Sequence, residues 1–396
     1  MNILRRLTLR LSAPLLVLAA LLRLWACPVW AVDPVRIGVS FALSGDYAPL
    51  GGMCADGLRL WAKTQNGEGG ILGRPIDLVI HDDQGDPETA ATIYREMLSS
   101  GQFDFVFGPY SSPISKAVIP LLEEYRYPTL LPVTSVESVW DSGPKYAFGV
   151  TTPERRWTKA IFTLMAESNV TRLVILVNDA LMQLGSPRDA EKWARRFGLE
   201  VVSLETASMP DIGEQLRRAR DSGVHAILVW GYFHDAVAIR KALASIGWTP
   251  RIFFAQMGPA LDEYCKVLGD LADYSLGCCI WDPKIGSSFP GGSEFLNSFR
   301  REYKRDPSYH AANCYAAGVI LAEAISRAGC MDREKVREVL SNLDTVTLIG
   351  RYGVDEAGVQ VRQRPIIVQW QNGRKRIVWP ETLRTAPLLF PPETKP

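Results

Sequence analysis

From residue 35 to about residue 281 the chain alternates between short, continuously apolar runs and longer stretches with a single apolar stripe. The runs are "VRIGVSFAL", "IDLVIHDD", "FDFVFG", "PTLLPV", "RLVILVND", "LEVVSLE", "HAILVWGY" and "RIFFAQ". Between them lie "PETAATIYREMLSSG", "ERRWTKAIFTLMAES", "DIGEQLRRARDSG" and "HDAVAIRKALASIG". A strand with one wet face alternates apolar and polar residues, whereas a strand that is apolar throughout is covered on both faces. Crossover helices lying on both sides of a parallel sheet supply that cover, so an α/β chain with parallel-sheet cores is expected.

After residue 281 the order changes. Three helical stretches follow, "GSEFLNSFRREYKRD", "NCYAAGVILAEAIS" and "MDREKVREVLSNL", and in the last Asp332 is placed to cap the helix. Two strands, "RPIIVQWQNG" and "KRIVWP", close the chain, with Asn372-Gly373 as a hairpin turn. A chain of 396 residues is longer than one typical domain, so two lobes are expected.

The first 31 residues hold Arg5, Arg6, Arg10 and Arg23 and no acid. A basic start, the apolar "LSAPLLVLAALL" and the small-residue end "VWA" read as an export signal covering residues 1–31. Arg23 interrupts an apolar run too short to span a bilayer. "LRRLTLR" faintly resembles a twin-arginine signal, and "LWAC" offers Cys27 as a lipoprotein anchor, ranked second because Trp25 fits that box poorly. Without this segment the balance is 40 bases against 43 acids, which gives no footprint for nucleic acid or an anionic membrane. Six cysteines remain, and the sequence does not choose between disulfides and buried thiols. Cys278 and Cys279 are neighbours on an expected strand and face opposite ways.

The stretch from Gly108 to Ser135, "GPYSSPISKAVIPLLEEYRYPTLLPVTS", puts hydroxyl-bearing turns after two consecutive strands. Ligands of open α/β sheets bind beyond the carboxyl ends of the strands, where helices begin and expose unpaired N–H groups. Ser112 before Pro113 reads as a helix cap, and Thr134 with Glu137 reads as a capping box. Two adjacent helix starts with spare hydroxyls would seat a carboxylate.

These segments, with "RIGVSFALSGDYAPLG", "NGEGGILGRPIDLVIHDDQGDPETA", "YAFGVTTPERRW", "WGYFHDA" and "RYGVDEAG", resemble the periplasmic ligand-binding proteins of branched-chain amino-acid ABC transporters, over roughly residues 35–380. The resemblance implies a type I periplasmic binding protein: two similar doubly wound α/β lobes joined by three crossing strands, closing on a ligand. It places lobe one at 34–151 plus 282–349, and lobe two at 152–281 plus 350–390. It implies a monomer working with ABC permease subunits, no cofactor and no metal. Carried over by residue, Ser112 matches a serine that receives the ligand carboxylate. Val133 and Ser135 match the positions that hold carboxylate and ammonium from the second turn, Thr134 stands between them as a further candidate, and Tyr110 lies beside the first turn. Leu50 falls where the family often has an aromatic residue, and Tyr232 or Phe233 matches an aromatic wall on lobe two.

Three positions depart from the family pattern. Its ammonium-binding aspartate falls near Pro153, with Glu154 as the nearest acid, its second acid falls at Ala260, and a lobe-two tyrosine is Leu184. A desolvated ammonium needs an acid partner, so an organic acid with an apolar or aromatic body is expected ahead of a plain α-amino acid.

Other motifs carry less. "GEGGILG" precedes a strand instead of following one, so it reads as a turn. Asp82 and Asp83 read as loop-end hydrogen-bonding groups. The four histidines lack metal-ligand spacing. Of Trp61, Trp140, Trp157, Trp193 and Trp230, only Trp157 stands near the implied cleft, and the others read as packing. A solute receptor feeding an ABC permease is therefore expected, with a sensory binding protein as the alternative and an enzyme third.

Overall fold

The computed structural model describes residues 33–392 apart from position 188. The export-signal reading of residues 1–31, and Cys27 with it, lies outside the described residues.

The apolar runs form strands of two sheets. The first sheet contains β1 (Val35–Phe41), β2 (Ile76–Asp82) and β3 (Phe105–Val106) in the order β2-β1-β3, all parallel. A bridge from Phe107 to Leu130 extends it to β4 (Thr129–Leu131), which pairs in parallel with β5 (Ala147–Gly149). The second sheet gathers β6 (Arg172–Val177), β7 (Glu200–Thr206), β8 (Ala226–Trp230), β9 (Ile252–Ala255) and β10 (Ser275–Cys279) as parallel strands. A short antiparallel ribbon, β11 (Thr345–Thr347) with β12 (Gly350–Tyr352), stands apart from both. β13 (Ile366–Gln371) and β14 (Arg374–Trp379) then add antiparallel strands to the edge at β10, giving the seven-stranded order β14-β13-β10-β9-β8-β6-β7.

The hairpin between β13 and β14 turns at Asn372 and Gly373, with φ of 51° and 66°, as an Asn-Gly turn requires. Cys278 packs into the core on one face of the second sheet, and Cys279 packs with the first sheet's core on the other. Asp332 caps the helix Arg333–Asn342 by accepting from Lys335 N at 2.9 Å.

Two long helices, Ala48–Gly67 and Tyr309–Ala328, cover one face of the first sheet. They approach closely because Gly57 and Gly318 lack side chains. An ideal Cβ at Gly57 would stand 2.2 Å from Ala311 O, and one at Gly318 would stand 2.0 Å from the Trp61 ring. The chain passes between the sheets three times: after β5, after β10 and between β12 and β13. These passages leave the carboxyl ends of both parallel sheets facing one another across a cleft.

Candidate functional site

The first-sheet half of the cleft is built from the turns after β3 and β4. The helix Ser112–Tyr125 begins one residue earlier than the sequence suggested, with Ser111 at the cap and no side-chain capping bond. Pro113 is tolerated in the second helical position as well as the first, which leaves the Ser112 hydroxyl free for another task. That hydroxyl oxygen accepts from Ser135 N and Val136 N, each at 3.3 Å. A hydroxyl has one proton and two lone pairs. With both acceptor sites occupied by backbone N–H groups, the Ser112 proton is left to be donated to something else.

The second turn differs from expectation. The capping box of Thr134 and Glu137 does not form, and a four-residue 3-10 turn, Glu137–Trp140, takes the place of a helix. Thr134 is drawn off by Ser115, hydroxyl to hydroxyl at 2.6 Å. Glu137 instead meets Arg155, whose Nε stands 2.7 Å away and whose backbone N donates to it at 3.2 Å. One full helix start, not two, therefore faces the cleft here.

The second-sheet half holds an acid. Glu154 opens the helix Glu154–Glu167, and its backbone N donates to Ser135 O at 2.9 Å, so the helix start abuts the serine turn. Its side chain is buried and accepts from the Ser186 hydroxyl. Burial, reinforced by the nearby charge of Glu137, pushes its carboxyl up to about 7, against the opposing bond from Ser186. Gln256, just past β9, and Trp230, at the end of β8, come beside the same carboxyl and bias it the other way, but neither makes a well-formed hydrogen bond to it.

Aromatic rings close the cleft. Tyr47 packs on Tyr110 of its own half at 5.9 Å and on Tyr232 of the other half at 4.9 Å between ring centroids. Tyr110 also reaches across, its hydroxyl donating to Met257 Sδ at 3.5 Å. Outside this seam lies an apolar pocket of about 440 Å³, lined from one side by Tyr47, Leu50 and Met53 and from the other by Tyr232, Phe233 and Leu261. A second pocket, of about 300 Å³, opens on the far side beside Glu154, Thr158 and Trp193.

The structure thus brings Tyr110, Ser112, Ser135, Glu154 and Tyr232 together. Leu50 and Phe233 stand in the adjoining pocket. Val133 packs into the first sheet's core, and Thr134 is engaged behind the seat. The carbonyl of Ala260 accepts from Lys375 Nζ at 2.9 Å, and that ammonium also pairs with Asp262 at 2.8 Å and Asp282 at 3.2 Å. Ala260 therefore sits over an ion cluster in which Asp282 is buried and Asp262 half-exposed. Leu184 is buried, and its carbonyl accepts from the Ser138 hydroxyl at 2.5 Å.

Sequence reasoning passed over Tyr47 and Gln256 and assigned Trp230 to packing. The available signal was positional: Gln256 and Trp230 each stand at the carboxyl end of a parallel strand, where ligands of such sheets bind.

A family model described as periplasmic binding protein matches residues 34–375. The chain belongs to that family. A leucine-, isoleucine-, valine-, threonine- and alanine-binding protein of Pseudomonas aeruginosa is 22% identical over 349 residues, covering 87% of this chain and 92% of the relative. A Leu/Ile/Val-binding protein homolog of Brucella suis is 23% identical over 377 residues, covering 90% and 94%. Among solved structures, a branched-chain amino acid transporter substrate binding protein of Streptococcus pneumoniae in complex with isoleucine matches with a TM-score of 0.78 and 21% identity, covering 88% of this chain and all of that one. An ABC transporter solute binding protein of R. palustris in complex with benzoate matches with a TM-score of 0.75 and 19% identity, covering 87% and 96%. The fold of this periplasmic binding protein is the type I arrangement of two α/β lobes with parallel-sheet cores.

Proposed function

We propose that this periplasmic binding protein is an exported solute receptor, not an enzyme, that captures a small carboxylate-bearing solute and delivers it to an ABC permease. In this reading two lobes, 34–151 plus 282–349 and 152–281 plus 350–390, close on the solute, and the protein works as a monomer. The observation that carries it is the Ser112 hydroxyl, whose two lone pairs are filled by Ser135 N and Val136 N, leaving an oriented O–H donor at a helix start. A donor fixed in that way suits a carboxylate better than a neutral group.

The named ligands of the relatives support the same choice. Leucine, isoleucine and benzoate share a carboxylate and differ in the amine. On the amine, Glu154 speaks for its absence. Burial first, and the charge of Glu137 second, favour the protonated form of this acid, and a protonated carboxyl offers no charge to an ammonium. The solute read from the site is therefore an organic acid with an apolar or aromatic body, the body lying toward Leu50 and Phe233.

Native mass spectrometry of the full protein recovered from the periplasm tests this. The expected result is a bound small acid that is released unchanged after prolonged incubation. A bound solute with no carboxyl group, or one converted chemically by the protein, would contradict it.

A further inference from the structure

Among the described residues, four buried polar atoms without a hydrogen-bond partner gather on the second-sheet side of the cleft: Gln256 Oε1 and Nε2, Trp230 Nε1 and the Tyr232 hydroxyl oxygen. Gln256, Trp230 and Tyr232 are 1%, 0% and 2% exposed, so these atoms are shut off from bulk solvent. Native proteins pair nearly all such groups, and each exception lowers stability, so a cluster of exceptions calls for a use. These exceptions are neighbours. Gln256 N donates to Val229 O at 2.9 Å, which sets Gln256 next to the end of β8, and the Gln256 and Trp230 side chains both lie against Glu154. Tyr232, two residues after Trp230, brings its hydroxyl beside Ser111, adjacent to Ser112 across the cleft.

We infer that Gln256, Trp230 and Tyr232 form a second polar seat that sets specificity, taking an oxygen-bearing group of the same solute whose carboxylate is held at Ser112. The inference rests on the carboxylate reading proposed above. The balance of donors fixes the chemistry. An indole N–H only donates, and the Gln256 amide presents two N–H groups and one carbonyl. With Glu154 holding its proton, an ammonium, which has donors alone, would answer the carbonyl and leave the indole and amide N–H groups without a charged acceptor. A hydroxyl or oxo oxygen accepts from them, and a hydroxyl also answers the Gln256 carbonyl. The solute is thus a hydroxy- or oxo-acid.

The test uses the full protein, titrated calorimetrically with matched acids: 4-methylpentanoate with its 2-oxo and 2-hydroxy derivatives, and benzoate with the hydroxybenzoates. At least one oxygenated acid is expected to bind about tenfold or more tighter than its parent, the difference a polar seat makes against a ligand lacking the group. That preference should vanish in Gln256→Met and shrink in Trp230→Phe. The ligand-free melting temperature of Gln256→Met should rise, since unpartnered atoms are removed at similar volume, and a role in packing alone would not give a more stable but less selective protein. If parent and oxygenated acids bind equally, or Gln256→Met keeps the preference or melts lower than wild type, the second seat is wrong while the carboxylate seat stands. If wild type binds none of these acids, the carboxylate reading and the seat fall together.

Discussion

At the scale of single residues, what decides the site is which hydrogen-bonding capacity is already used. Thr134 and Ser112 carry the same chemical group, but Thr134 is engaged by the Ser115 hydroxyl behind the seat, whereas Ser112 accepts from two backbone N–H groups and has its proton left to give. Glu154 is the second decisive residue, because its carboxyl is pushed up to about 7 by burial. Its ionisation lags that of an unfolded glutamate, so the folded state binds the extra proton between about pH 5 and 7. Wild type should therefore lose stability relative to Glu154→Gln as pH rises through that window, the gap levelling near 3 kcal/mol in order of magnitude. Denaturant titrations at several pH values measure it, and a constant gap would show an unperturbed Glu154. Binding follows the same linkage. A complex with an amine-free acid keeps Glu154 protonated, so affinity should fall as pH rises through about 7. An affinity that rises over this range would mean that an ammonium has ionised Glu154, and the amine-free reading would be wrong. Ser112 and Ser135 drew notice as hydroxyls after strands and Tyr232 through the family resemblance, and the structure brings all three to the cleft. Gln256 was not legible, since nothing in "RIFFAQ" tells whether the glutamine amide finds a partner in the fold.

At the scale of elements, strands were the most legible part of the chain. Runs such as "RLVILV" and "AILVW" are apolar on both faces, and each became a buried parallel strand. Helix starts were legible only to within a residue, because Ser111 and Ser112 are both able to stand at a cap and Pro113 tolerates either register. The turn after β4 misled for a different reason. Thr134 and Glu137 have capping-box spacing, but Ser115 and Arg155, distant in sequence, compete for both side chains and win. Helix pairing was invisible, since a glycine inside a helical stretch does not name its neighbour. The contact between Ala48–Gly67 and Tyr309–Ala328 makes a prediction. Gly57→Ala drives a Cβ onto Ala311 O, a backbone atom that cannot rotate away, and should cost about 1–3 kcal/mol. Gly67→Ala, with nothing within 4 Å, should stay within about 0.5 kcal/mol of wild type. Thermal unfolding of the two variants compares them directly, and equal stability would mean that the helices do not meet so closely in solution.

At the scale of the whole molecule, two parallel sheets present their carboxyl ends to one cleft, and three passages of chain join them. The alternating pattern before residue 281 and the helical block after it announce this plan, since the block returns to the first sheet's core. What the pattern does not carry is how the halves meet, which here involves Glu154 N on Ser135 O, Arg155 on Glu137, Tyr110 on Met257 and Tyr47 on Tyr232. Capture between lobes requires that the solute lean on both halves at once, so damage to either half must weaken binding. The direct measurement is calorimetric titration of the solute recovered from the protein into wild type, Ser112→Ala and Tyr232→Phe. Ser112→Ala removes a hydrogen bond to a charged group, and about a tenfold to hundredfold loss of affinity is predicted. Tyr232→Phe removes only a hydroxyl on the opposite half, and a loss of roughly threefold to tenfold is predicted. Unchanged affinity in either variant would contradict capture of a carboxylate between the two lobes.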